Sequence, residues 1–191
     1  MATSPTARPA SHSTTGTTSG GWSTQRLAVT ALFVALAMVA SYVEIGIFPP
    51  APYLKYDPSG VVQLVAGLAF GPATGALVAV LSWLPHLFMN PFGGLMGILC
   101  ALALTVPAAL VYEKTRSRKG SLLGMALGAV VTLVVAIVGN VIVTPIYASV
   151  STADVIAMIV PVLLPFNLLK VALNCVVTQL VYKPVSTLVG E

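Results

Sequence analysis

The chain has 191 residues, of which 57% are hydrophobic and only 7% are charged, and its mean hydropathy is +0.97. A soluble domain of this size cannot bury so many apolar side chains in one core, so soluble enzymes and soluble binding domains are excluded and the lipid bilayer must be the solvent. The formal net charge of +4 does not indicate a nucleic-acid partner, because four of the nine basic residues lie in one short loop between apolar segments.

The N-terminal region differs in composition from the rest of the chain. Residues 1–25 contain 15 Ser, Thr or Gly residues and no apolar run. This composition is typical of a disordered tail and not of a secretory signal peptide, which needs an apolar centre. We therefore expect a disordered cytoplasmic tail over residues 1–25, one membrane domain over residues 26–182 and a short cytoplasmic tail over residues 183–191.

The first membrane helix is predicted over residues 26–47, because the prolines that follow prevent its continuation. It carries small side chains at Ala28, Ala31 and Ala35, at positions i, i+3 and i+7. Small residues at this spacing allow another helix to approach closely. The pattern predicts a docking surface, but by itself it does not distinguish contact with a partner from packing inside the bundle.

The predicted loop after this helix, residues 48–58, combines aromatic, apolar and charged side chains. Its second half includes Leu54, Lys55, Tyr56 and Asp57. One interpretation is a lid that closes over a ligand. The other is that the tyrosines are anchors at the membrane interface and that Asp57 caps the next helix. We favour the lid.

Five further apolar segments follow and bring the expected number of helices to about six. They cover residues 59–70, 73–89, 94–112, 121–143 and 155–182. The first of them would be only about 18 Å long as a helix, which is short of the roughly 30 Å hydrocarbon core, so it is either a short helix or half of a bent one. The sequence thus predicts an all-α, polytopic membrane protein with a compact bundle of about six transmembrane helices.

The basic residues indicate the orientation of this bundle. Counting from a cytoplasmic N-terminus places seven of the nine basic residues inside, including Lys114, Arg116, Arg118 and Lys119. This asymmetry predicts that both termini are cytoplasmic in the plasma membrane of a bacterium and that residues 48–58, 90–93 and 144–154 face outward.

The last helix carries a polar face formed by Asn167, Lys170 and Asn174. These residues are three and four positions apart, so they lie within about 60° of one another around the helix axis. A lysine near the centre of a membrane helix costs roughly 2.5 to 3.5 kcal/mol on insertion scales unless it finds partners. The face is either part of a small-molecule site or a set of interhelical clamps in which Lys170 pairs with an acid. Glu44 is one candidate for that acid.

The end of the fifth predicted helix holds a second polar group, with Asn140 next to Gly139 and with Thr144 and Tyr147 following. An amide presents a donor and an acceptor together, as the edge of a heterocyclic ring requires, and a glycine permits close approach of a ligand. The segment is equally consistent with a glycine at a helix contact and a capping asparagine.

Several absences weigh against an enzyme. The sequence has no phosphate-binding Gly-x-x-x-x-Gly-Lys-[Ser/Thr] motif, no His-Glu-x-x-His motif and no Asp-rich cluster. We predict no cofactor and no metal site, and we interpret Cys100 and Cys175 as packing residues and His86 as a satisfied or interfacial imidazole. An enzyme that uses Lys170 and Glu44 as acid and base, or a purely structural subunit, stays open as an alternative.

Taken together, these motifs resemble the substrate-binding S components of energy-coupling factor (ECF) transporters, and among them the riboflavin-binding branch. The resemblance covers most of residues 26–182 and rests on segments 54–57, 70–75, 139–140 and 144–147, and above all on Leu-Pro-Phe-Asn-Leu-Leu-Lys over residues 164–170 with Asn174. The proline-rich lead over residues 48–52 and the long tail depart from the family pattern.

The resemblance implies a six-helix protein that binds riboflavin as transported ligand from outside and delivers it with a transmembrane coupling subunit and two ATPases. It implies flavin contacts from Asn140, Asn167 and Lys170 and a lid around Leu54. It also implies docking on the coupling subunit through Ala31 and Ala35. Related branches bind thiamine, biotin or folate on the same scaffold, so the fold alone does not fix the vitamin.

Overall fold

The computed structural model describes residues 22–51 and 54–188, with side chains to residue 182. Most of the predicted N-terminal tail, and Tyr53 of the predicted lid, lie outside the described residues. The helices are α1 (Thr24–Ser41), α2 (Ser59–Phe70), α3 (Pro72–Trp83), α4 (His86–Met89), α5 (Pro91–Thr115), α6 (Arg118–Tyr147), α7 (Thr152–Ala157) and α8 (Leu164–Leu188), and a π-helical turn (Ile159–Leu163) precedes α8. The described residues contain no β-strand beyond one isolated bridge, so the predicted all-α class is confirmed.

Within the described part of the chain, five stretches are long and apolar enough to cross a membrane. They are Thr24–Ser41, Pro72–Met89, Pro91–Thr115, Arg118–Tyr147 and Ile159–Tyr182. The helix predicted over residues 59–70 is α2, which has only 12 residues and is a separate short helix, not half of a continuous one. Ten of its residues are buried, so α2 forms the centre of the bundle and the longer helices surround it.

The predicted first helix is wrong at its end, because α1 stops at Ser41, six residues before residue 47. The chain then turns back on itself: Ile45 N–H donates to Tyr56 O and Tyr56 N–H donates to Ile45 O, both at 2.8 Å. These hydrogen bonds between Ile45 and Tyr56 replace the helical hydrogen bonds that were expected for residues 42–47. The prolines at 49 and 50 therefore form the tip of a turn and do not terminate the helix.

Several other predicted boundaries also differ from the structure. The helices α5 and α6 are longer than predicted, because Asn90 and Ser117 accept from the backbone of Gly93 and Gly120 at 3.0 Å and cap the extra first turns. The segment predicted as one helix over residues 155–182 is divided into α7, the π-helical turn and α8. The turn contains Pro161, which has no N–H to donate. At its other end α8 continues to Leu188, beyond the predicted boundary.

A close helix contact joins α5 and α6 through glycines of α6. A Cβ atom on Gly124 would lie 2.5 Å from the carbonyl oxygen of Ala108, and one on Gly128 would lie still closer to the carbonyl oxygen of Leu104. Only a residue without a side chain allows the two backbones to approach this far. The two helices therefore form a rigid hairpin that supports one wall of the bundle.

We expect Gly128→Ala to lower the stability of the folded protein by about 1–3 kcal/mol, because the added methyl group meets immobile backbone and forces the helices apart. Gly139→Ala, on the same helix, is the matched control, since its methyl group meets only the flexible end of Met96. Thermal unfolding in detergent measures both. A Gly128→Ala protein as stable as the control would contradict the tight packing.

At one end of the bundle, Arg26 ties α1 to the junction of α2 and α3. Its Nη2 donates to Phe70 O at 3.0 Å and to Thr74 Oγ1 at 3.1 Å. Gly71, between the two helices, has φ of +90°, a conformation that only glycine adopts without strain. The chain segments that matter for binding lie at the other end.

Candidate ligand-binding site

Residues 42–51 and 54–57, which we call the strap, cross the open end of the bundle between α1 and α2. The Ile45–Tyr56 bridge holds the two arms of the strap together, and Ala51 N–H donates to Phe48 O at its tip at 3.1 Å. Ala51 is buried, and the ring of Phe48 contacts that of Phe166 on α8 edge to face, with centroids 6.1 Å apart. The strap therefore rests on α8 in the position expected of a lid.

Beneath the strap lies a cavity of about 340 Å³. Residues of α1, the strap, α3 to α6 and α8 line it, and the volume falls in the range of small-molecule sites. Six of the residues predicted to bind substrate meet at its wall: Leu54, Lys55, Asp57, Asn140, Asn167 and Lys170. They come from three regions of the sequence, of which the first and the last are more than 100 residues apart.

Lys170 is paired with Asp57, with Nζ 2.7 Å from Oδ2. The exposed fractions of the two side chains are 28% and 8%, so the carboxylate is buried while the lysine still reaches the cavity. The other oxygen of Asp57 accepts from the backbone N–H of Ser59 at 3.3 Å and from its hydroxyl. Asp57 thus caps α2 and neutralises Lys170 at once. Glu44, which lines the same cavity, is not the partner of Lys170.

Asn174 is not one of the residues that line this cavity. Its side chain holds the strap instead. The hydroxyl of Tyr56 donates to Asn174 Oδ1 at 3.0 Å, and both side chains are buried. Burial, and to a smaller extent the charge of Asp57, raise the pKa of Tyr56 above its ordinary value, so the phenol remains a donor. Tyr56 and Asp57 therefore form a buried foot that fixes the strap to α8.

The two asparagines at the wall are each oriented by their own helix. Asn140 Nδ2 donates to Ala136 O at 2.7 Å, and Asn167 Nδ2 donates to Leu163 O at 2.8 Å. Thr144 donates its hydroxyl to Asn140 Oδ1 at 3.1 Å. These bonds hold the amides in fixed rotamers, which is how a site presents donors and acceptors to a rigid ring at little entropic cost.

Besides Asn174, two predicted substrate-binding residues lie away from the cavity wall. Thr144 reaches the site only through its bond to Asn140. Tyr147 stacks on Phe92 with centroids 5.4 Å apart and is half exposed at the end of α6. The helix α6 continues to Tyr147 and carries that side chain past the cavity.

Sequence reasoning missed an aromatic group on the cavity wall. His86 stacks between Tyr42 and Trp83, with centroid distances of 4.4 and 4.6 Å, and both His86 and Trp83 line the cavity. Gly97 is required opposite Trp83, because a Cβ there would overlap the indole ring. The spacing of Trp83 and His86 by three residues in an apolar segment was the signal that these side chains share a face.

The predicted docking residues Ala28, Ala31 and Ala35 are all exposed on α1. The opposite face of this helix is buried and includes Phe33 and Ala37. In this chain the alanines therefore do not serve internal packing, and the small-residue surface faces outward from the bundle.

Comparison with known proteins agrees with this architecture. The family described as "ECF transporter, substrate-specific component" matches residues 25–182. The riboflavin transporter RibU of Staphylococcus aureus is 29% identical over 168 residues, which is 83% of this chain and 89% of the relative. The riboflavin transporter FmnP of Bacillus subtilis is 27% identical over 172 residues, with 83% and 90% covered.

A solved structure, described as "Structure and mechanism of the S component of a bacterial ECF transporter", superimposes with a TM-score of 0.74 at 25% identity. The match covers 87% of this chain and 98% of the other. The family prediction is thus confirmed. With a family match across its whole membrane domain and the fold of an S component, the chain belongs to the substrate-specific components of ECF transporters.

Proposed function

We propose that this chain is the riboflavin-binding subunit of an ECF-type vitamin importer. The observation that carries the proposal is the cavity beneath the strap, where two oriented amides and a paired lysine meet at one wall. An amide edge can pair with a ring that presents adjacent donors and acceptors, as the flavin ring does, while Trp83 supplies a flat apolar surface. The relatives named riboflavin transporters support this choice over another vitamin.

The same proposal covers the partners and the orientation. The exposed alanine surface of α1 would dock on a transmembrane coupling subunit, and ATP hydrolysis would take place on two ATPases bound to that subunit. The protein is a multi-pass membrane protein of a transporter family. The basic loop between α5 and α6 supports the assignment of both termini to the cytoplasm, with the strap on the outside.

The acid–base enzyme alternative is not favoured by the geometry. Its two residues were Lys170 and Glu44, and the structure pairs Lys170 with Asp57 at 2.7 Å instead. The acid and the base that this alternative needs are therefore not paired with each other.

Riboflavin binding is best tested by fluorescence, because the chain has two tryptophans and only Trp83 lines the cavity. We expect riboflavin to quench the emission of a Trp22→Phe variant with a stoichiometry of one, and thiamine, biotin and folate to leave it unchanged. No quenching and no riboflavin bound in equilibrium dialysis would reject riboflavin as the ligand.

In the same assay we expect Asn167→Ala to weaken riboflavin binding by about 5- to 150-fold, the equivalent of about 1–3 kcal/mol for a ligand group left unpaired. Gln179→Ala is the matched control, because Gln179 is an amide on the same helix that bonds to Ser121. Equal affinities of the two variants would show that Asn167 does not contact the ligand.

A further inference from the structure

A second, smaller chamber of about 60 Å³ adjoins the ligand cavity. Asp57, Asn167 and Lys170 line both spaces, whereas Gln63, Leu104, Thr132 and Asn174 line only the smaller one, which we call the inner chamber. Ligand-binding sites usually occupy about 300 Å³ or more, so the inner chamber is too small for a vitamin ring. One water molecule needs about 10–15 Å³, so the chamber has room for several.

Several polar side chains belong to the wall of the inner chamber, although it lies among buried residues of a membrane protein. Gln63, Thr132 and Asn174 are each more than 90% buried. Gln63 Nε2 donates to Ser82 Oγ at 3.0 Å, and no hydrogen bond among the described residues uses its Oε1. Buried polar groups of this kind are paired with protein or with ordered water in native structures.

The donors and acceptors around the chamber are complementary to water. Asn174 uses its Oδ1 for Tyr56, which leaves its Nδ2 as a donor, and the ammonium group of Lys170 uses one of three protons for Asp57. On the acceptor side, Thr132 donates to Gly128 O at 2.7 Å and keeps its oxygen lone pairs, as Gln63 keeps its Oε1. A water molecule, which both donates and accepts, can bridge these groups, whereas an apolar ligand cannot.

A bound metal cation is disfavoured by the charge balance. The only carboxylate at the chamber among the described residues is Asp57, and Lys170 already neutralises it at 2.7 Å. Among the parts of the chain that the structure describes, no cluster of three or more His, Cys, Asp or Glu side chains forms a metal site.

We propose that the inner chamber binds a cluster of ordered water molecules, which complete the hydrogen bonds of Gln63, Lys170 and Asn174. This water solvates the Lys170–Asp57 pair beneath the ligand, because a fully desolvated ion pair loses more hydration free energy than its attraction returns. The presence of water in the inner chamber does not depend on which vitamin the protein binds. The expected effect of this water on riboflavin affinity rests on the proposed function.

X-ray radiolysis in H₂¹⁸O tests the water directly, because hydroxyl radicals form from bound water in place and label the side chains next to it. Leu104 lines the chamber and Leu68 does not, although both belong to one core cluster with exposed fractions of 3% and 2%. We expect ¹⁸O incorporation at Leu104 to exceed that at Leu68 at least fivefold, and Thr132→Leu, which fills the chamber, to abolish the difference. Equal labelling of the two leucines in the unmodified protein would overturn the proposal.

Riboflavin titration tests the functional consequence. Thr132→Val removes the hydroxyl and keeps the shape, so we expect about fivefold weaker binding, equivalent to about one net hydrogen bond. Thr30→Val is the matched control, since Thr30 is a buried threonine on α1 that also bonds to the carbonyl four residues before it. Equal riboflavin affinities of Thr132→Val and Thr30→Val would overturn the link between the water and ligand binding. A loss of riboflavin binding when choline replaces Na⁺ would identify a cation site instead of a water site. If the unmodified protein binds no riboflavin, the proposed function fails while the labelling result still stands.

Discussion

Replacing Lys170 with methionine is expected to weaken riboflavin binding by about 10- to 100-fold and to lower the stability of the protein by about 3–5 kcal/mol. Affinity falls because a polar group of riboflavin loses Lys170 as its hydrogen-bond donor at the cavity wall. The loss of stability has a different cause, because Asp57 is left as a buried carboxylate without its partner. Titration of riboflavin and thermal unfolding measure the two effects separately.

The double variant Asp57→Asn with Lys170→Met separates these roles. It removes both charges, so the free energy of unfolding should return most of the way to that of the unmodified protein, while riboflavin affinity should stay low. Recovery of affinity together with stability would contradict a direct contact between Lys170 and the ligand. In that case the pair would serve only to hold the foot of the strap on α8.

Replacing Ala35 with tryptophan is expected to abolish riboflavin uptake and to leave riboflavin binding unchanged. Ala35 is exposed on the side of α1 opposite the buried Phe33 and Ala37, so the indole disturbs no internal contact. It would instead fill the space that a helix of the coupling subunit needs for close approach. Uptake of labelled riboflavin by cells that also produce the coupling subunits measures transport, and the purified variant measures binding.

The control for this prediction is Ala126→Trp, at an exposed alanine of α6 on another face of the bundle. We expect normal uptake and normal binding with this variant. A loss of riboflavin binding in Ala35→Trp would show that this face of α1 contributes to the ligand site. A loss of uptake in both variants would contradict a docking role specific to α1.

The sequence predicted the helical class and the membrane environment because both follow from local properties. Repeated apolar runs of about 20 residues indicate a bilayer, and the spacing of Asn167, Lys170 and Asn174 places them on one face of any helix. The family motifs, which lie along the same segments, were sufficient to predict the S component. The predicted end of α1 was wrong, because the hydrogen bonds that replace its last predicted turn are made with Tyr56 on the returning arm of the strap.

Only the tertiary structure decided which role each residue of that polar face performs. Asn167 lines the ligand cavity, Lys170 joins the cavity to Asp57 across 113 positions of the sequence, and Asn174 holds Tyr56 across 118 positions. Helical periodicity fixes the direction of a side chain relative to its own axis, but it does not say which other segment lies opposite. That choice depends on the packing of α2 at the centre of the bundle, which brings the foot of the strap against α8. As a result, one end of the predicted polar face serves binding and the other end holds the strap.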